Sequence, residues 1–179
     1  MTRPTPERAL WAEKCRRSAQ FFLFDSGAVV TKDEHDQVRP VKPFPGDLYE
    51  RALIDMMCVS GKLLGPDDAS YARDAGVPRS YLADLWRTGV FFVEKSRQMR
   101  VSWLACAFLL YRARGLPHQL LLVQSKKKED AANLVFVKSP DLARMSFMEF
   151  HLPEDLRQVK YPQHVSEGRM IFPNGSQVW

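Results

Sequence analysis

Midway along the chain, a short apolar run, a polar loop, a long apolar segment and a second short apolar run follow one another, and this order constrains the fold most. VFFVE at residues 90–94 is nearly continuous hydrophobe, the pattern of a sheet strand covered on both faces. SWLACAFLLYRAR at residues 102–114 is apolar on most sides and is closed by Gly115 with Pro117 beyond it, which predicts a buried helix. QLLLVQS at residues 119–125 then predicts a second apolar strand. Strand, loop, helix and strand within about 35 residues predict a βαβ unit, hence parallel strands joined by a right-handed crossover.

The flanking segments are predicted from their own signals. Residues 6–20 carry Ala9, Leu10, Trp11, Cys15 and Ala19 at helical spacing, and FFLFD at residues 21–25 reads as a buried extended piece. Residues 31–46 are polar and proline-rich, the composition of a surface connection. Asp47 caps a predicted helix with Leu48, Tyr49, Ala52, Leu53, Met56 and Met57 on one face, ending near Ser60 and Gly61. Two shorter helices are expected at residues 66–75, stopped by Gly76, and 78–87, stopped by Gly89. Residues 126–137 predict another helix, and RMIFPNGSQVW predicts a hairpin about Asn174 and Gly175. Its second arm is short, so the chain reads as cut inside a strand. Trp86 and Trp103 are expected in the core.

Composition matters where it bears on partners and compartment. With 179 residues, 45% of them hydrophobic, the chain suffices for one ordinary core. A net charge of +5 suits a polyanionic partner and suits a mildly basic soluble protein equally. Cys15, Cys58 and Cys106 stand far apart among apolar or helical neighbours, as in a reducing cytoplasm. The four histidines show no metal-ligand spacing. The start has no secretory pattern, and no run approaches the ~18 apolar residues of a membrane helix. A soluble, cytoplasmic protein with no membrane partner is the expectation.

A phosphate-binding loop needs a strand delivering the chain to a sheet edge, inward-pointing backbone N–H groups, and the positive end of a helix. The βαβ reading offers all three. In the usual signature, GxxxxGK[ST], the lysine reaches the β- and γ-phosphates and the hydroxyl holds Mg²⁺. The corresponding KSRQMRVS, residues 95–102, fails three of the four signature positions.

EKSRQMRVSWL nevertheless resembles the variant loop of the large terminase subunits of tailed bacteriophages and prophages, often of the form KSRQxGxSxL. Two further segments are similar to that family: LLLVQSKKKEDAANLV, residues 120–135, resembles its second core strand and following helix, and MIFPNGSQV, residues 170–178, resembles its N-G-S hairpin. The resemblance implies the N-terminal part of an α/β, P-loop NTPase-type three-layer fold with a mainly parallel sheet, incomplete and preceded by a helical segment. Residues 1–88 would be that mostly helical segment and residues 89–179 the partial ATPase core. It implies ATP and Mg²⁺ as ligands, with Lys95, Ser96, Arg97, Gln98, Met99, Arg100, Val101 and Ser102 around the phosphates. Lys95 and Arg97 would supply charge, and the Ser102 hydroxyl would hold Mg²⁺. Double-stranded DNA, a small terminase subunit and a portal protein are the implied partners, in a bacterial host cell. Lys126, Lys127 and Lys128 either contact DNA phosphates or begin a solvated helix.

Two departures from that pattern stand out. The family carries an aromatic-Gln pair that contacts adenine, whereas here Tyr49 precedes Glu50; Tyr49 and Arg51 are the adenine candidates. Arg100 fills a position where the family has glycine, and a side chain there costs about 1–3 kcal/mol if the same positive-φ backbone is kept. Weakened ATP binding is expected, testable by titrating Arg100→Gly. The acidic pair that holds Mg²⁺ and aligns water has no counterpart after Ser125 beyond MSFME, ending at Glu149, or before the loop beyond FFLFD, which reads as core. No catalytic residue is assigned, and little hydrolysis is expected. A catalytically inactive remnant that binds nucleotide, DNA or a partner weakly is the alternative, and a helicase-type ATPase is a third.

Overall fold

The computed structural model describes residues 5–32, 41–90, 93 and 100–179. These residues fold into mixed helix and strand in two compact units, one of residues 1–44 with 105–179 and the other of residues 45–104.

The second unit is helical. Helix α2 (Leu48–Ser60) starts at Asp47, whose side chain accepts a hydrogen bond from the Glu50 N–H, as the capping pattern predicts. Its buried surface runs wider than one face: Ala52, Leu53, Ile54, Met57, Cys58 and Val59 are buried, but Leu48 and Tyr49 are exposed. Helix α3 (Ser70–Asp74) is shorter than predicted, because residues 65–68 close a turn in which the Asp68 N–H donates to the Gly65 carbonyl at 3.1 Å. Ala69 has no side chain with which to cap α3, so Asp55 does so from α2, accepting the N–H groups of Tyr71 and Ala72 at 2.9 and 3.2 Å. Helix α4 (Arg79–Thr88) ends as predicted on Gly89, which takes the left-handed conformation at φ 70° and donates its N–H to the Leu85 carbonyl. Val59, Ala69, Ala72, Leu82 and Leu85 form the core, closed by Met56, Leu64 and Val77. Trp86, expected in a core, lies on the surface with the Lys62 ammonium 4.8 Å from its ring centroid.

In the other unit, α1 (Pro6–Arg17) is capped by Thr5 and buries Cys15, while Leu10 is exposed. FFLFD is a π-helical turn, Phe21–Asp25, and not the extended piece expected. Serines set this turn: Ser18 Oγ accepts the Phe21 N–H, and the Ser26 N–H donates five residues back to the Phe21 carbonyl. Strands β1 (Val30–Lys32) and β2 (Val41–Pro43) pair antiparallel, so the polar connection contains a hairpin arm and ends on the buried Phe44. Helix α5 (Val101–Gly115), which belongs to this unit from Ala105 onward, buries Leu104, Cys106, Ala107, Leu110 and Ala113. Beyond it come β3 (Leu120–Leu121), α6 (Lys128–Val135), α7 (Arg144–His151), β4 (Val165–Ser166), β5 (Arg169–Ile171) and β6 (Gln177–Val178).

The larger sheet has the order β3-β6-β5-β4, with β3 parallel to β6 and the other two pairings antiparallel. The N-G-S hairpin forms as predicted, but the mainly parallel sheet does not appear among the described residues. Nor does β3 pair with Val90 or Val93. Val90 and Val93 belong to no strand and are 64% and 36% exposed, while Phe91, Phe92 and Glu94 lie outside the described residues. The apolar run at residues 119–125 yields a two-residue strand, with Leu120 and Leu122 64% and 71% exposed rather than covered on both sides.

Candidate phosphate-binding site

The site predicted at the head of α5 is described in part. Lys95, Ser96, Arg97, Gln98 and Met99 lie outside the described residues; Arg100, Val101 and Ser102 lie within them. Arg100 takes φ 47°, the left-handed region that residues with a Cβ seldom adopt. Its carbonyl accepts the Leu104 N–H at 3.0 Å, opening α5, and Val101 and Ser102 form the first helical turn, half-buried. Arg100 thus keeps a backbone conformation that favours glycine.

Its side chain reaches α2. Arg100 Nε lies 3.1 Å from Glu50 Oε1, with the Glu50 side chain 2% exposed and that of Arg100 47% exposed. The other carboxylate oxygen of Glu50 accepts the Gly46 N–H at 2.9 Å. Asp47 and Glu50 therefore engage the start of α2 from both sides, a variant of the capping box with the acid reaching one residue further back. Glu50, which the loop resemblance marks only as a departure from glutamine, carries a local signal of this role in the Asp47-x-x-Glu50 spacing.

The two adenine candidates follow on the same turn. Arg51 donates from Nε to the Gly46 carbonyl at 2.8 Å, and its guanidinium stands 5.1 Å from the Tyr71 ring centroid. Those contacts hold it along α2. Tyr49 is exposed at 36%. Burial, and then the charges of Glu50 and Asp47, push its hydroxyl above the ordinary tyrosine value, so at neutral pH it stays a hydrogen-bond donor.

The far end of α5 is clamped by the N-G-S turn. Asn174 Nδ2 donates to the carbonyls of Ala113, Arg114 and Leu116 at 2.8, 3.2 and 3.1 Å, satisfying groups that a helix leaves unpaired at its end. Asn174 Oδ1 accepts the Ser176 N–H, and Ser176 Oγ donates to the Leu116 carbonyl and accepts the Gln119 N–H. Gly175, at φ 83°, cannot be replaced freely: an added Cβ would come 2.5 Å from His118 Nδ1.

Glu149, the nearest approach to an acidic strand end, sits on α7, not on a strand, and is fully buried. Arg114 Nη1 lies 2.5 Å from Oε2, while Oε1 accepts the N–H groups of Gln158 and Val159 at 2.6 and 3.0 Å. Arg114 also donates to the Leu156 carbonyl. Three protein groups, one of them a guanidinium, thus engage both oxygens of this buried carboxylate, which makes it a structural anchor. Asp25 is exposed at the end of the π-helical turn. Among the described residues no group of three or more His, Cys, Asp or Glu is placed to hold a metal.

Lys126, Lys127 and Lys128 are all exposed, the last two at the cap and first residue of α6, ahead of Glu129 and Asp130. No described helix is long and apolar enough to cross a membrane. Comparison with protein-family models, with curated proteins and with solved structures finds no match to this chain.

Proposed function

We propose that the chain is the N-terminal portion of a terminase-like DNA-packaging motor, in which residues 95–102 bind the phosphates of ATP and the Ser102 hydroxyl holds Mg²⁺. The observation that carries this reading is the left-handed backbone of Arg100 at the mouth of α5. A non-glycine residue is kept in that conformation only where its surroundings impose it. At the end of a loop that opens a helix, it turns the chain so that successive N–H groups can converge on an anion. Lys95, at the first loop position, reaches the phosphates through its flexible stem. ATP so bound would supply the energy for translocating double-stranded DNA, with a small terminase subunit and a portal protein as partners in a bacterial host.

A second reading, a nucleotide-binding chain with little turnover of its own, is favoured by Glu149. The carboxylate nearest to an acidic strand end is committed to Arg114, Gln158 and Val159. Single-turnover hydrolysis tests both readings at once: each requires carboxylates beyond these residues, so enzyme-like rates from this chain alone contradict both.

The direct test is calorimetric titration with ATP and Mg²⁺. Lys95→Ala is expected to weaken binding at least about tenfold, equivalent to ~1.4 kcal/mol, and Ser102→Ala to remove most of the dependence on Mg²⁺. If the unaltered chain takes up no ATP, or Lys95→Ala binds as it does, the phosphate-loop reading is wrong.

A further inference from the structure

The two departures from the loop family's pattern, Glu50 in place of glutamine and Arg100 in place of glycine, are far apart in sequence and meet in space at 3.1 Å. Each would be harmful alone. A carboxylate buried to 2% exposure needs a cation or several donors; among the described residues the Gly46 N–H donates to Glu50 and the Arg100 guanidinium is its ion-pair partner. An arginine at φ 47° bears backbone strain that glycine would not. Together the two side chains sum to zero charge, as a glutamine and a glycine would.

We infer that Glu50 and Arg100 are a compensated pair: Glu50 is the positioning residue that neutralises Arg100 and holds it in its left-handed conformation at the head of α5. Exchanging Arg100 alone therefore does not restore a glycine-type loop. It leaves a buried negative charge at the start of α2, close to where Arg100 opens α5, and that charge repels any anion arriving there. Neutralising Glu50 alone leaves Arg100 as an uncompensated positive charge, which attracts one. Only the paired exchange gives a neutral site with an unstrained backbone. The consequence for anions rests on the phosphate-loop reading; the pairing itself does not.

The experiment uses the full chain with Glu50→Gln, Arg100→Gly, Arg100→Lys and the double variant Glu50→Gln/Arg100→Gly. Glutamine keeps an oxygen for the Gly46 N–H, so the start of α2 remains capped. In thermal melts, Arg100→Gly is expected to lower the midpoint when Glu50 is present and to raise it when Glu50→Gln is also made. Arg100→Lys, which retains a cation, should recover part of the loss. In ATP titrations, Glu50→Gln should tighten binding about fivefold with a steeper salt dependence, and Arg100→Gly should weaken it by a similar factor. The double variant should bind more tightly than the unaltered chain. Additive melting shifts overturn the pairing, as does Arg100→Gly alone tightening ATP binding as much as the double variant does. A sign reversal in the melts with no ATP uptake by any variant upholds the pairing and removes the phosphate-loop reading instead.

Discussion

Cys106 shows how far a single side chain departs from its ordinary chemistry. Its Sγ lies 3.7 Å from the Leu134 carbonyl, and burial pushes the thiol up to about 12. Between the usual value of 9.0 and about 12, the folded chain keeps a proton that the unfolded chain releases. Stability therefore falls as pH rises through that window, by at most about 1.4 kcal/mol per pH unit. Urea midpoints measured across the window should drop, and Cys106→Ala should flatten the slope. That the cysteines stand among apolar neighbours was legible in the sequence, and all three are buried. The partners of Glu50 and Glu149 were not. Glu149 lies inside the apolar run MSFME, where an acid gives no local sign that Arg114 will neutralise it. The positive φ of Arg100 could be anticipated only because a glycine is expected at that position in the loop pattern it resembles.

At the scale of elements, signals carried by one residue type transferred best. Asp47 starts α2, Gly89 ends α4 and Asn174-Gly175 turns the final hairpin, because each relies on a local hydrogen bond or a local backbone angle. Apolar runs transferred worst. FFLFD and QLLLVQS say that a segment is greasy but not its period, and one became a π-helical turn while the other formed a two-residue strand. The element contact most open to test is the clamp on α5. Asn174→Ala removes three donated bonds and one accepted bond, which at about 1 kcal/mol each, partly regained by solvation, should reduce stability by about 2–3 kcal/mol. Chemical denaturation would measure it. A loss within experimental error would mean that the carbonyls ending α5 are satisfied without Asn174.

For the whole molecule, local patterns cannot reveal which distant segments share a core. Residues 1–44 gather with 105–179 around contacts such as Tyr111 Oη to the Arg16 carbonyl, while residues 45–104 gather around Leu82 and Leu85. Truncating a fully buried leucine costs about 2–5 kcal/mol. Leu82→Ala should therefore accelerate amide hydrogen exchange throughout α2, α3 and α4. Protection in β5, β6 and α7 should change much less. Uniform loss of protection across the chain would show that the two units unfold as one.

The N-G-S turn also bears on how the protein ages. Asparagine followed by glycine is the sequence most prone to deamidation, in which the glycine nitrogen attacks the asparagine side-chain carbonyl carbon, closes a succinimide ring and expels ammonia. Here the attacking nitrogen is occupied, since the Gly175 N–H donates to the Phe172 carbonyl at 3.0 Å. The departing amide is tied to three carbonyls at the end of α5. The folded chain thus shields its most labile bond, and unfolding unlocks it. Succinimide and aspartate accumulating at residue 174 would then serve as a chemical clock, recording the time each molecule has spent with that turn undone.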